Sequence, residues 1–155
     1  MKGQIVYATY ELREEQTRVL LFGRLENKQS FTVITEIHPY FFISEKDLKK
    51  AKKLLEKFKT EKTNLSSFSG EKVVKISGKN HILLHKLSSA LHKMEINTYE
   101  ADVKPHIRYI IDKDLYNKVN IEGHYETSEK TDRVYLNPEI KPTEETQELK
   151  VLSLD

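Results

Sequence analysis

Three histidines share one face of a segment that the sequence predicts to be helical. His81 and His85 are four residues apart, and His92 follows seven residues later, so a helix brings their side chains to the same side. Two histidines at this spacing can hold zinc. The catalytic form of that motif has a glutamate directly after the first histidine, however, where this chain has Ile82. The sequence therefore favours surface histidines, or histidines that face another domain.

One carboxylate stands at the end of an apolar run. Leu149 to Leu154 is apolar and bounded by charge, and Asp155 follows it. Such a run is typical of a buried strand, and an acidic residue at the tip of a buried strand is well placed to bind a metal. A single carboxylate neither holds Mg²⁺ well nor performs acid–base catalysis alone. A nuclease whose metal site includes Asp155 is one interpretation that stays open.

Lysines crowd the polar side of the first predicted helix. Ser44 and Asp47 have the spacing of an N-cap with an acid at the third position. The apolar residues that follow at helical spacing are Leu48, Ala51, Leu54, Leu55 and Phe58. The lysines are Lys46, Lys49, Lys50, Lys53 and Lys57. They are either a phosphate-facing surface or a solvated helix face, and the second is favoured because no arginine or aromatic residue accompanies them.

Composition indicates one globular domain of ordinary size. The chain has 155 residues, of which 37% are apolar and 32% charged, and its net charge is +2. From Glu122 onward nine acids stand against four basic residues, a net of −5, so residues 1–121 carry +7. The positive charge of residues 1–121 is consistent with two interpretations, a domain that faces a polyanion and an ordinary lysine-rich surface. The chain has no cysteine, and the N-terminus lacks a signal-like apolar run, so we expect a cytoplasmic protein without a membrane span.

The elements before residue 104 predict an α+β fold. Residues 4–43 alternate polar and apolar positions, which indicates a curled antiparallel β-meander, with Gly23 as a bulge or bend. Residues 39–103 then predict strand, helix, strand, helix and strand, an α/β unit with helices packed over a sheet. We expect a polar loop at 60–70, and a second helix from Asn80. The buried side of that helix is expected to comprise Leu83, Leu87, Leu91 and Met94, and a strand to follow at 96–103.

Two extended pieces and a terminal strand complete the predicted architecture. Residues 118–126 and 131–142 are short and extended around a polar turn. Pro138 and Pro142 limit the second piece to a sheet edge or to a loop. The apolar run at 149–154 is expected to be the last strand.

The segment YEADVKPHIRYIID at 99–112, followed by VNIEG, LNPEIKP and LKVLSLD, carries a resemblance. In this order the segments resemble family B DNA polymerases just before their 3′–5′ exonuclease domain, most closely the bacterial DNA polymerase II branch. The residues that match the approach to the first exonuclease motif are Tyr99, Glu100, Ala101, Asp102, Val103, Pro105, Arg108 and Tyr109. Asp155 falls on the aspartate of that motif. The step HPY at 38–40 agrees too, so the resemblance spans essentially the whole chain.

The resemblance implies a domain organisation. Residues 1–112 would be the N-terminal domain, 113–148 an extended connector, and 149–155 the first strand of a truncated exonuclease domain. The parent would be a DNA-directed DNA polymerase with 3′–5′ exonuclease activity, acting in DNA replication and repair with Mg²⁺ in the full-length protein. The reading frame is then expected to continue after Asp155 with Ile-Glu. The fragment itself is expected to be monomeric, inactive and without a cofactor.

The resemblance also implies partners for this domain. It would pack against the exonuclease and polymerase domains of the same chain and line the passage of the single-stranded DNA template. Such a passage needs cations for phosphates and aromatic rings for stacking. The candidate nucleic-acid-binding residues are Tyr40, Tyr99, Lys104, His106 and Arg108. For Arg108 an ion pair with Asp102 or Glu100 is an equal alternative, and for the aromatic residues at 40–42 packing is favoured.

Two further expectations concern ligands. Archaeal members of the family bind template uracil in a pocket of this domain. Pro39 and Tyr40 match one wall of that pocket, but residues 78–82 lack the prolines that shape another, so we expect no uracil preference. The alternative function is a free-standing module that binds single-stranded DNA or RNA, which the positive charge of residues 1–121 and the curled sheet favour.

Overall fold

A computed structural model describes residues 1–143 of the chain. It contains 45% strand and 22% helix and includes a curled antiparallel sheet, which confirms the predicted α+β class. The predicted last strand at 149–155 and Asp155 lie outside the described residues. Within the described part, no helix combines the length and the apolar character that a membrane span requires.

Strands dominate the described part of the chain. In sequence order the elements are β1 (Lys2–Arg13), β2 (Gln16–Leu25), β3 (Ser30–Glu36), β4 (Tyr40–Ser44), α1 (Leu48–Leu55), β5 (Lys59–Ser66), β6 (Lys72–Ser77), α2 (His81–Lys93), β7 (Thr98–Tyr99), α3 (Pro105–Asp112), β8 (Lys118–Glu122), β9 (Tyr125–Glu126), β10 (Arg133–Leu136) and β11 (Glu139–Pro142). They group into two compact units.

The first unit is built on a seven-stranded sheet. It comprises Met1–Glu11, Arg18–Glu36 and the described residues from His106 to Thr143, and its strand order is β11-β8-β1-β2-β3-β10-β9. Strands β1, β2 and β3 of the predicted meander lie at the centre of this sheet, whereas its last segment, β4, belongs to the second sheet instead. In β2 apolar and polar residues alternate, and Val19 and Leu21 are completely buried. The extended pieces predicted at 118–126 and 131–142 are strands of the same sheet, and β10 joins β3 in parallel.

Gly23 allows two strands of the first unit to approach each other closely. A Cβ atom built at Gly23 would lie 1.9 Å from the carbonyl oxygen of Gln4 in β1 and 2.7 Å from the ring of Phe31. Any side chain would therefore collide with backbone that cannot move without breaking the sheet. This close approach is the physical reason for glycine at the position where the sequence indicates a bulge or bend.

The second unit comprises Leu12–Thr17 and Ile37–Pro105. Its sheet has the order β5-β6-β4-β7, and the pairs β5·β6, β6·β4 and β4·β7 are all antiparallel. The two helices α1 and α2 supply apolar side chains to one face of this sheet. The buried core of the unit consists of Phe41, Ile43, Ala51, Leu55, Val74, Ile76, Leu84, Leu87, Leu91 and Ile96.

Two local predictions for the second unit are wrong. The expected polar loop at 60–70 largely forms β5, because the edge of β6 supplies hydrogen-bond partners that a polar segment can use. The strand expected at 96–103 shrinks to Thr98–Tyr99, since the backbone turns at Glu100, whose φ is 62°. Helix α3 then begins at Pro105, a residue that favours the first helical position.

The buried side of α2 also differs from the prediction. Leu84, Leu87, Ser88 and Leu91 are buried, whereas Leu83 is 47% exposed. Met94, expected in the core, is partly buried beside it. Both leucines at 83 and 84 satisfy the helical spacing, so only packing against the sheet selects between them. The boundaries predicted at 112 and 148 stay predictions.

Candidate nucleic-acid interface

Strand β4 presents different side chains to the two faces of the second sheet. Phe41 and Ile43 point to the helices and are almost fully buried. Successive side chains of a strand point to opposite faces, so Tyr40 and Phe42 lie on the face turned away from the helices. The segment Tyr40–Ile43 therefore contributes to both faces of the sheet, and on the second face Tyr40 keeps part of its surface accessible whereas Phe42 is buried.

The strand register extends this second surface across three strands. Phe42 pairs with Lys75 of β6 on one side and with Tyr99 of β7 on the other. Residues paired directly across strands share a face, so Lys75, Phe42 and Tyr99 form a row, with Tyr40 beside it. We call Tyr40, Phe42, Lys75 and Tyr99 the aromatic face.

The geometry of the aromatic face joins a cation to aromatic rings. The Nζ atom of Lys75 lies 4.2 Å from the centre of the Tyr40 ring, a cation–π contact. The rings of Tyr40 and Phe42 meet edge to face with centroids 5.5 Å apart. Phe42 is buried, whereas Tyr40, Lys75 and Tyr99 keep part of their surface accessible. Such a surface can stack nucleobases and attract phosphates.

Strand β5 adds charge at one edge of the same surface. Glu61 pairs with Lys75 in the register, and Lys59 pairs with Ser77. The carboxylate of Glu61 accepts a bond of 2.6 Å from the ammonium of Lys59, and this bond lowers the pKa of Glu61. Lys59 and Lys75 together leave a net positive charge around Glu61. Reasoning from sequence missed both lysines, since their position on the face follows only from the strand pairing.

The predicted site residues are divided between the two units. Tyr40 and Tyr99 share the aromatic face, and Lys104 is an exposed residue near the end of the second unit. His106 and Arg108 lie on α3 in the first unit, where the ring of His106 stacks on Tyr10 with centroids 5.3 Å apart. The structure therefore brings together two of the five residues, and the roles of all five stay predictions.

Two of the three helical histidines have hydrogen-bond partners in the second unit. The Nδ1 atom of His81 lies 2.8 Å from the hydroxyl oxygen of Thr17, and the Nε2 atom of His92 lies 2.8 Å from that of Thr98. Burial lowers the pKa of His81. Among residues 1–143, no group of three or more histidine, cysteine, aspartate or glutamate side chains is arranged to hold a metal ion.

The lysines of the first helix remain on the surface. Lys46 donates a bond of 2.6 Å to the carboxylate of Glu71, and this bond raises the pKa of Lys46. Lys49, Lys50, Lys53 and Lys57 are exposed. Their arrangement is that of a solvated helix face.

The fold is that of part of a family B DNA polymerase. The chain is similar to the family B DNA polymerase from the hyperthermophilic archaeon Pyrobaculum calidifontis, with a TM-score of 0.77 and 22% sequence identity. The match covers 97% of this chain and 21% of that chain, so this chain spans about a fifth of the length of the polymerase. No protein-family model and no curated protein matches the sequence.

Proposed function

We propose that the chain is the N-terminal domain of a family B DNA polymerase of the bacterial polymerase II type. In this proposal it supports the exonuclease domain and contacts the single-stranded template in a cytoplasmic replication or repair enzyme. The observation that carries the proposal is the match in fold over 97% of the chain to the archaeal polymerase. The motif order from Tyr99 to Asp155 is independent support from sequence.

The aromatic face supports the proposed contact with template. Tyr40 and Tyr99 offer rings on which bases can stack, and Lys75 offers a cation beside them. Base–aromatic stacking is tolerant of sequence because every base has a π-face, which suits a protein that must accept any template. In this proposal the Mg²⁺ of the parent polymerase binds at Asp155 in the full-length protein.

Titration with oligo-dT tests the template contact. The whole chain, labelled with ¹⁵N, would be titrated at about 50 mM and about 200 mM salt, and the shifted amides mapped. We expect weak binding, with a Kd of about 100 µM that rises with salt, and shifts centred on the aromatic face. Tyr99→Ala should weaken binding about tenfold. Tyr116→Ala is the matched control, because Tyr116 is 83% exposed and lies outside the face.

Two results would overturn the proposed contact. One is the absence of shifts on β4, β6 and β7 at millimolar oligonucleotide, and the other is equal weakening by Tyr99→Ala and Tyr116→Ala. Submicromolar affinity of the isolated chain would instead favour a free-standing single-strand-binding module. The same aromatic face supports that second candidate, since a domain that works alone must carry all its nucleic-acid contacts itself.

A further inference from the structure

The second unit contains a groove that is lined by residues of both its helices. Its volume is about 760 Å³, and it is bordered by the end of α1, the turn between β6 and α2, and α2 itself. This volume falls within the range of about 300–1,000 Å³ that is typical of ligand-binding sites.

The floor of the groove is apolar and follows helical spacing. Leu54 and Phe58 come from the end of α1, and Leu83, Leu87 and Ala90 form a stripe along α2. Leu87 belongs to the buried core, whereas Leu83 is 47% exposed. Leu83 is thus an apolar side chain that the core does not use and that faces the groove instead.

The rim of the groove is positively charged. The lining includes Lys57, Lys59, Lys79 and Lys86, all exposed. Lys59 is paired with Glu61, but none of the other three forms an ion pair with a carboxylate of the described residues. Glu15 is the single acidic residue among those lining the groove, and its carboxylate accepts a bond of 2.9 Å from Asn80.

We propose that this groove binds a helical segment of a partner protein, with apolar residues at i, i+4 and i+7 and acidic residues at its flanks. An amphipathic helix laid in a groove anchors through such spacing, and its acidic flanks would meet the three unpaired lysines. A nucleic acid fits less well, because the floor is aliphatic apart from Phe58 and the lining contains no arginine. The groove and the aromatic face share none of their defining residues, although Lys59 borders both.

The test uses a synthetic peptide of about 15 residues, roughly four helical turns. It carries leucine at i, i+4 and i+7 and glutamate at the flanking positions, with a fluorescein label. Its affinity for the whole chain is measured by fluorescence anisotropy, and its location by ¹⁵N shifts. A scrambled peptide of the same composition keeps the charge and destroys the apolar stripe. A single-stranded oligo-dT is the nucleic-acid competitor.

Matched variants separate the groove from the general surface. Leu83→Glu and Ile82→Glu change neighbouring residues of α2 with similar exposure, 47% and 45%, but Ile82 does not line the groove. Lys86→Glu reverses a charge at the rim, and Lys53→Glu reverses an exposed charge on α1 outside it. We expect Leu83→Glu to weaken peptide binding about tenfold or more, Lys86→Glu a fewfold, and the two control variants hardly at all. Far-ultraviolet circular dichroism confirms that each variant folds.

Three outcomes would overturn the proposal. The first is that the scrambled peptide binds with the same affinity as the designed peptide. The second is that Leu83→Glu and Ile82→Glu weaken peptide binding equally. The third is that oligo-dT displaces the peptide and itself shifts the amide signals of the groove. The proposal does not depend on the proposed polymerase function, since none of the four substituted residues belongs to the aromatic face.

Discussion

The start of helix α2 depends on one amide side chain, Asn80. Its Oδ1 atom accepts bonds of 2.9 Å and 3.2 Å from the backbone N–H groups of Ile82 and Leu83. Its Nδ2 atom donates a bond of 2.9 Å to Glu15. The side chain is 8% exposed, so water cannot easily replace these bonds. We predict that Asn80→Ala destabilises the chain and that Asn80→Ser restores most of the loss.

The size of the effect follows from the bonds that are lost. Removing an N-cap acceptor typically costs about 1 kcal/mol and at most about 2 kcal/mol. The bond to Glu15, an exposed residue, adds about 0.5 kcal/mol. The expected loss for Asn80→Ala is therefore about 1.5–2.5 kcal/mol. Asn80→Ser keeps an acceptor oxygen for the helix and loses the bond to Glu15, so it should cost about 0.5–1 kcal/mol.

Urea unfolding monitored by circular dichroism measures both variants. For an m-value of about 2 kcal/mol/M, Asn80→Ala should lower the midpoint by roughly 1 M. Asn97→Ala is the control, because Asn97 is exposed and caps no helix, and it should stay within about 0.5 kcal/mol of the parent. A loss below about 0.5 kcal/mol for Asn80→Ala, or equal losses for the alanine and serine variants, would refute the assignment of Asn80 as the cap.

The remaining predictions concern pH, a close backbone approach and a ligand. Burial holds the pKa of His81 below its ordinary value of 6.5, so the unfolded chain binds this proton more readily. Stability should therefore fall as the pH drops below about 6.5. His81→Asn should make the decline between about pH 7.5 and pH 5 shallower in urea unfolding, and an unchanged pH dependence would contradict this. Gly23→Ala should destabilise the first unit by more than about 2 kcal/mol, because the new Cβ atom would collide with the carbonyl oxygen of Gln4. In the control variant Gly70→Ala the new Cβ atom has nothing within 4 Å, so this variant should lose only about 1 kcal/mol, because of its positive φ. Comparable losses for the two variants in thermal unfolding would disprove the close approach at Gly23. Single strands with uracil and with thymine should bind equally, and a clear preference for uracil in a direct titration would contradict the expectation drawn from residues 78–82.

The family that the sequence motifs resemble and the solved structure with a similar fold agree. The sequence motifs that suggested the family lie mostly between Tyr99 and Asp155, whereas the similarity to the archaeal polymerase covers 97% of the chain. The solved structure shows agreement in fold, and the motif order is a separate observation on the sequence. That the chain belongs to this family, and to its bacterial polymerase II branch, stays a prediction.

Local patterns in the sequence were sufficient for the class of fold and for most of its elements. The period-2 alternation of β2 and the 3.6-residue spacing of apolar residues in α1 are properties of a short window, and each already dictates which positions can be buried together. The α+β class and the meander were predictable for this reason. The position of glycine at 23 was visible as well, although its cause was not.

Contacts between distant segments required the folded chain. Strand β10 pairs with β3 about 100 residues earlier, and the carboxylate of Asp132 fixes that pairing by accepting bonds of 2.8 Å and 3.0 Å from Ser30. Strand pairing also places Lys75 and Tyr99 on either side of Phe42. Packing of α2 against the second sheet decides that Leu84 is buried and Leu83 is not. Backbone hydrogen bonds between strands carry no information about which strand is the partner. The aromatic face and the groove therefore became visible only when the register and the helix packing were known.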